Sequence, residues 1–589
     1  MLCSSVGARL QAAKNDPGTA SCEGFFMQLQ AANVSTIGTT RVTDVSSTEW
    51  RWVIVFSTLL VALTLVPYAW AFASNTPNDR WQFMGVLPNP QDGATYFAKI
   101  GEGARGQWLL TLAHTPEASN GAAIMEFYLL LGHLATLIGM TAPLMFHVAR
   151  ITAGFVMYLS LYHLGASIWQ RLRARRLFFG LIAVGSGLGW LAAIFVPALH
   201  PVDLYVPESI PFYSAYANPH FPLAIALVAL IASAFVGIFR PGYKALPTFA
   251  NGGFTLVVMS VVLALLQPQA WLPINMALAL YLVIHVVRTR KLPPRYQIQW
   301  VALALLSGLP VLLYDQALVT FDPLYHIWNA QNVTPSGSPL NYLFGFGLLL
   351  LVAIPGIWRA LRKFEQDGDR LMLVWLLSNI ILLYAPLNIQ RRFAIGLLIP
   401  IIYFAVRSLE DYWFNHISPR WRDAGLVALF VFIAPSNVFI LVLTLVGVAQ
   451  PRAGLQNYQL LPADYSHAIT WLHDNTTPDS VVLAPLSTSL WMPAYTPARV
   501  VYGHPFETVN ASVKAQEVAD WYAGRGCTEL ISKYHVQYVV LGPSEMEASA
   551  GAAGVGPTSP VITTICVRAI GKPVATFGSV VVYSAAAEF

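Results

Sequence analysis

Charge is scarce in this sequence. Asp, Glu, Lys and Arg make up 11% of its 589 residues, against roughly 25% in soluble domains. That scarcity excludes an ordinary soluble chain, and the 56% of hydrophobic residues agrees with it. Cysteines number only four, Cys3, Cys22, Cys527 and Cys566, and none has the C-x-x-C spacing of a zinc or redox site. The first 45 residues hold no apolar stretch of the kind a signal peptide needs, so a polar, unstructured cytoplasmic tail is expected there. No Gly-rich phosphate loop is present, and no internal repeat of the kind found in transporters built from duplicated halves. The net charge of +5 collects in short loops and gives no reason to expect nucleic acid.

What is present in quantity is apolar sequence. Runs such as Val53 to Ala71, Leu177 to Val196, Phe221 to Phe239 and Val301 to Leu313 approach or reach the roughly 20 residues that cross a bilayer. Eleven spans satisfy length and charge together, near 51–73, 142–168, 178–198, 220–239, 245–266, 270–287, 297–318, 341–358, 371–388, 394–409 and 424–447. Basic clusters fall at every second junction: Arg171 to Arg176, Arg240 with Lys244, Arg288 to Arg295, Arg359 to Arg370, and Arg420 with Arg422. Short Lys/Arg-rich loops stay cytoplasmic, which predicts a multi-pass protein of the cell membrane with its N-terminus inside and its C-terminal region outside. Segment 123–140 is short and interrupted by Glu126, Gly132 and His133, and fits an interfacial helix better than a span.

The fold class expected is therefore a mainly α polytopic membrane protein with a small C-terminal α/β domain outside the cytoplasm. Residues 1–49 form the tail, 50–449 the membrane domain with outer loops 74–122, 199–219 and 319–340, and 450–589 the α/β domain. Helices are expected at 465–473, 512–522 and 527–534, strands at 480–483, 500–502, 536–541 and 581–583, and a flexible loop at 545–560. Cys527 and Cys566 lie where a disulfide is permitted; the sequence leaves open whether they pair.

Candidate chemistry gathers in the outer segments. In the first, Asp92 stands at an expected helix N-cap, and Asp92, Tyr96 and Lys99 share a helix face. A carboxylate beside a cation can act as general base toward a hydroxyl. Glu117, in His114-Thr115-Pro116-Glu117, is a second acid. The next segment offers Glu208, Asn218 and His220, with a Glu208–His220 pair as the structural alternative. Gln331 and Asn332 follow, among aromatic residues suited to sugars or to an interfacial belt. The Gln390-Arg391-Arg392-Phe393 turn breaks the charge rule by placing two cations at the outer face. Guanidinium forks match phosphate oxygens two at a time.

Asp92-Gly93-Ala94-Thr95-Tyr96-Phe97-Ala98-Lys99, Pro207-Glu208, Asn218-Pro219-His220-Phe221, Gln331-Asn332 and Gln390-Arg391-Arg392-Phe393 occur in an order and on a membrane side that resemble GT-C fold glycosyltransferases. Within that superfamily the chain is similar to protein O-mannosyltransferases, aminoarabinose transferases and bacterial members with a D-x-x-x-Y-x-A-K first loop, over about 50–545. The resemblance implies inverting transfer of a sugar from a polyprenyl-phosphate donor to a glycan, lipid or protein acceptor outside the cytoplasm. Asp92 would be the base and Arg391 and Arg392 the phosphate clamp. Where the family often has Asp-Glu, Gly93 follows Asp92 here, leaving Glu117 as the substitute second acid. Tyr96, Lys99, Glu208, Asn218, His220, Gln331, Asn332 and Gln390 would bind substrate. Some members use a divalent cation and others none, so no cofactor is assigned. Competing readings are a transporter or flippase of a lipid-linked solute, with Gly185-Ser186-Gly187, Asn379 and Asp315 as its polar groups, and a non-catalytic membrane subunit.

Overall fold

The structure, a computed structural model, describes residues 45–74, 80–364, 368–543, 566 and 572–585. Helices stand on all eleven expected spans. Among the described residues nine helices are long and apolar enough to cross a membrane, the first Ser47–Ala73 and the last Pro419–Ala449. Gly253–Leu266 and Asp369–Leu383 are shorter. The first helix begins at Ser47, inside the stretch expected to be tail. Its Glu49 is buried and paired with Arg175 at 3.0 Å.

Leu172–Phe195 is interrupted where Gly185-Ser186-Gly187 weakens it. Backbone groups freed in a membrane must find partners within the protein, and here they do. Ser186 N donates to Ile433 O, Leu188 N to Phe344 O, and Asp203 Oδ2 accepts from Gly187 N and Gly189 N at 3.0 Å each.

Between the first two spans the chain forms Pro90–Ala104 and Glu126–Ile138. At 13 residues and 1.5 Å rise each, Glu126–Ile138 is about 20 Å long, short of the hydrocarbon thickness. One face, with Leu130, Leu134 and Leu137, is exposed; the other lies directly on Pro90–Ala104. Glycine permits that contact. A Cβ on Gly103 would stand 2.0 Å from Leu129 O, and one on Gly132 2.1 Å from Ile100 O. Gly132→Ala should therefore part the two helices and destabilise the protein by about 1–3 kcal/mol, read as a lower melting temperature; an unchanged melt would show that the contact is loose.

The C-terminal region is an α/β unit as expected. Its sheet runs Arg499–Val500, Val481–Leu483, Val536–Leu541, Val580–Ser584, Pro573–Phe577. The first three strands are parallel and the last two are antiparallel, so the sheet is mixed. The strand Pro573–Phe577 was not anticipated; it is recruited by a tight turn at Gly578, whose φ of 53° suits glycine. Cys527 and Cys566 are disulfide-bonded. The loop expected at 545–560 lies outside the described residues.

This unit is not separate from the first loop. Trp81–Phe83 pairs antiparallel with Leu460–Pro462, and Phe97 of Pro90–Ala104 shares a buried cluster with Trp491, Leu461 and Val482. The helix that carries Asp92 thus packs on the α/β unit as well as on the membrane helices.

Candidate active site

Pro90–Ala104 starts at Asn89, which adopts a left-handed conformation (φ 50°), followed by proline at the first helical position, where its missing N–H is harmless. Asp92 is therefore in the first turn and does not itself cap the helix. There the helix dipole favours a carboxylate, and Asn89 Nδ2 donates to Asp92 Oδ2. Protein crowds Asp92 from several sides, yet 41% of its side chain stays accessible. Burial raises its pKa above the usual 3.8; Arg392 and Lys99 pull it down, while Glu507 pushes it up.

The same helix carries Tyr96 and Lys99, both buried. Tyr96 stacks on Tyr128 with ring centroids 4.4 Å apart, and Tyr128 hydroxyl meets His220 Nδ1 at 2.6 Å. His220 is thus engaged with Tyr128, not with Glu208. Lys99 Nζ donates to Glu507 Oε1 at 3.0 Å, and Trp328 Nε1 to Glu507 Oε2 at 3.1 Å. Burial alone would raise the Glu507 carboxyl; several opposing influences, the Lys99 ammonium foremost, together outweigh it and the group sits at about 2. Beside it, His504 Nε2 stands 3.9 Å from Asp92 Oδ1.

The Arg pair sits in a short 3-10 turn, Gln390–Ala394, held from three directions. Asn379, proposed above as a transport group, donates to Phe393 O and Ile395 O. Gln390 spans Ser336 N and Ala385 O. Arg391 N donates to Thr334 O, while Arg392 Nη2 reaches Asn332 Oδ1 at 3.5 Å. Glu208 is 5% exposed; burial raises its pKa and the two arginines, Arg391 first, oppose that. Asn218 is buried with its Oδ1 unpartnered among the described residues. Gln331 ties this region to the α/β unit by donating to Phe506 O at 3.0 Å and to Thr508 O.

The residues singled out from sequence thus divide. Arg392 and Lys99 act electrostatically on Asp92, and Arg391, Arg392 and Asp92 on Glu208. Tyr96 stacks on Tyr128, Asn332 accepts from Arg392, and His220, Gln331 and Gln390 bond to the protein around them. Glu117 is committed to Lys514, whose Nζ donates to both its oxygens, and to Thr115. The second acid acting on Asp92 is Glu507, which sequence reasoning missed together with His504 and Trp328. One signal was available: Gly503-His504-Pro505-Phe506-Glu507 follows the C-terminal end of a parallel strand, where α/β sheets place ligands. Among the described residues no three His, Cys, Asp or Glu side chains converge to hold a metal ion. Cations already surround Asp92, so the donor set does not fit a divalent ion there.

No family model matches the sequence, and no curated protein matches it. Solved structures do. The Archaeoglobus fulgidus oligosaccharyltransferase in complex with Zn and sulfate superposes with a TM-score of 0.50 at 14% identity, over 88% of this chain and 71% of that one. ArnT from Cupriavidus metallidurans bound to undecaprenyl phosphate gives 0.46 at 14%, over 92% and 99%. Arabinofuranosyltransferase AftD from Mycobacteria gives 0.48 at 13%, over 92% and 40%. The likeness is one of fold: the chain has the GT-C fold.

Proposed function

We propose that this protein is an integral-membrane glycosyltransferase that moves a sugar from a polyprenyl-phosphate donor to a hydroxyl acceptor, with inversion, on the extracytoplasmic face. One observation carries the reading. Arg392 is the strongest charge acting on Asp92, although 300 residues separate them in sequence, which supports reading the two as base and phosphate-binding cation of one site.

The acceptor oxygen attacks the anomeric carbon and its proton passes to Asp92. The bond from that carbon to the phosphate oxygen breaks, and its electron pair leaves with the polyprenyl phosphate. A single displacement inverts the anomeric configuration. Negative charge grows on the phosphate as it departs, and Arg391 and Arg392 stabilise it; charge positioned in advance in this way is often the largest catalytic contribution. Glu208, buried in the site, interacts with Arg391 and Arg392 through charge. Lys99, held by Glu507, whose other oxygen accepts from Trp328, keeps a cation beside Asp92.

A base must be unprotonated to act, and the Asp92 pKa lies above 3.8. Activity should therefore fall on the acid side at a pH above the usual aspartate range. The test is transfer by the full chain in lipid nanodiscs, with tritiated undecaprenyl-phosphate-linked mannose and arabinose as donors, followed across pH. Absence of any transfer or donor binding with these probes would count against the reading.

A further inference from the structure

The turn after Arg499–Val500 is built around one imidazole. Gly503 N and His504 N donate to Thr508 Oγ1, whose own proton goes to His114 O. Phe506 N and Glu507 N both donate to His504 Nδ1, at 3.0 and 3.1 Å. A ring nitrogen that accepts carries no proton, so the neutral ring bears its hydrogen on Nε2. The ring is neutral: its side chain is 3% exposed, and burial lowers its pKa to about 3 against the opposing pull of Glu507. The ionisable groups facing it are Asp92, Glu507, Lys99 and His114.

That Nε2–H has no hydrogen-bond partner among the described residues, an unfavourable state for a buried donor. It stands 3.9 Å from Asp92 Oδ1, too far for a direct bond. An oxygen about 2.8 Å from each atom would bridge them. A hydroxyl there would accept from Nε2–H and donate to Asp92. An ammonium or amide nitrogen only donates and would leave the imidazole unmatched.

We propose that His504, protonated on Nε2, is a catalytic residue that with Asp92 seats the acceptor's hydroxyl and selects hydroxyl over nitrogen acceptors. The proposal rests on the glycosyl-transfer reading above. His504 donates its hydrogen bond throughout and keeps its proton; the hydroxyl proton goes to Asp92 while the phosphate leaves with the electron pair of the broken bond.

Two variants separate this role from a structural one. In His504→Asn the amide oxygen replaces Nδ1 as acceptor for the turn, but nothing reaches Asp92. In His504→Gln the amide N–H extends to where Nε2 was. The assay uses full chain in nanodiscs, undecaprenyl-phosphate-linked mannose as donor and octyl mannoside as acceptor. His504→Asn should melt like the wild type, keep the donor KM within about twofold, and lose about ten- to a hundredfold in kcat/KM for the acceptor, the scale of one buried hydrogen bond. His504→Gln should recover much of that loss. The 15N spectrum of histidine-labelled protein should show the proton on Nε2. Wild-type acceptor kinetics in His504→Asn, or a proton on Nδ1, overturns the proposal. A wild type that transfers nothing would fell the transfer reading instead. The seat is then judged without turnover, with octyl mannoside bound: a raised Asp92 carboxyl titration in His504→Asn relative to wild type upholds the bridge, and an unmoved one refutes it.

Discussion

Asp92→Asn should abolish sugar transfer, lowering kcat by about a thousandfold or more, the upper range for loss of a general base. The substitution is nearly isosteric, so few contacts change. An amide oxygen can still accept from Asn89, and the Lys99–Glu507–Trp328 cluster does not depend on Asp92 for its hydrogen bonds. Donor KM and melting temperature should therefore stay close to wild type while turnover disappears. That split distinguishes a missing base from a collapsed site. A purified Asp92→Asn protein with wild-type turnover would refute the base assignment, whatever else the site does.

Arg392→Ala should cost about a hundred- to a thousandfold in kcat, the scale seen when one preorganised donor to a developing anion is removed. The effect should fall on kcat as well as donor KM, because charge on the leaving phosphate is greatest in the transition state. A second signature belongs to Arg392 in particular. It is the strongest charge that lowers the Asp92 pKa, so removing it should move the acid limb of the pH profile upward. Arg392→Lys restores the charge without the planar fork and should recover only part of the rate. Loss of rate with an unmoved acid limb would mean that Arg392 holds the donor but lies outside the reach of the base.

Much of the architecture was legible because it is written locally. Apolar length marks a membrane helix wherever it occurs, and all eleven expected spans carry helices. Strand and helix periodicity located most of the α/β unit, including Val536–Leu541 to the residue. Pro573–Phe577 escaped because a short exposed strand exists only through its neighbour, Val580–Ser584. The Asp92 cap expectation failed by three residues, since Asn89-Pro90 starts the helix earlier through a left-handed residue that composition does not announce.

The sequence by itself determined the membrane class, the helix that carries Asp92, Tyr96 and Lys99 on one face, and the anomalous Arg pair. These depend on spacing within a few residues, which helix geometry converts directly into a shared face. Only the tertiary structure decided which acid accompanies Asp92. Glu117 was the candidate from sequence, but Lys514 takes it, and Glu507, paired with Lys99, is the acid that acts on Asp92. Partners some 400 residues apart meet through packing of Phe97, Trp491 and Leu461 in a common core, and nonlocal packing leaves no periodic trace in a single chain.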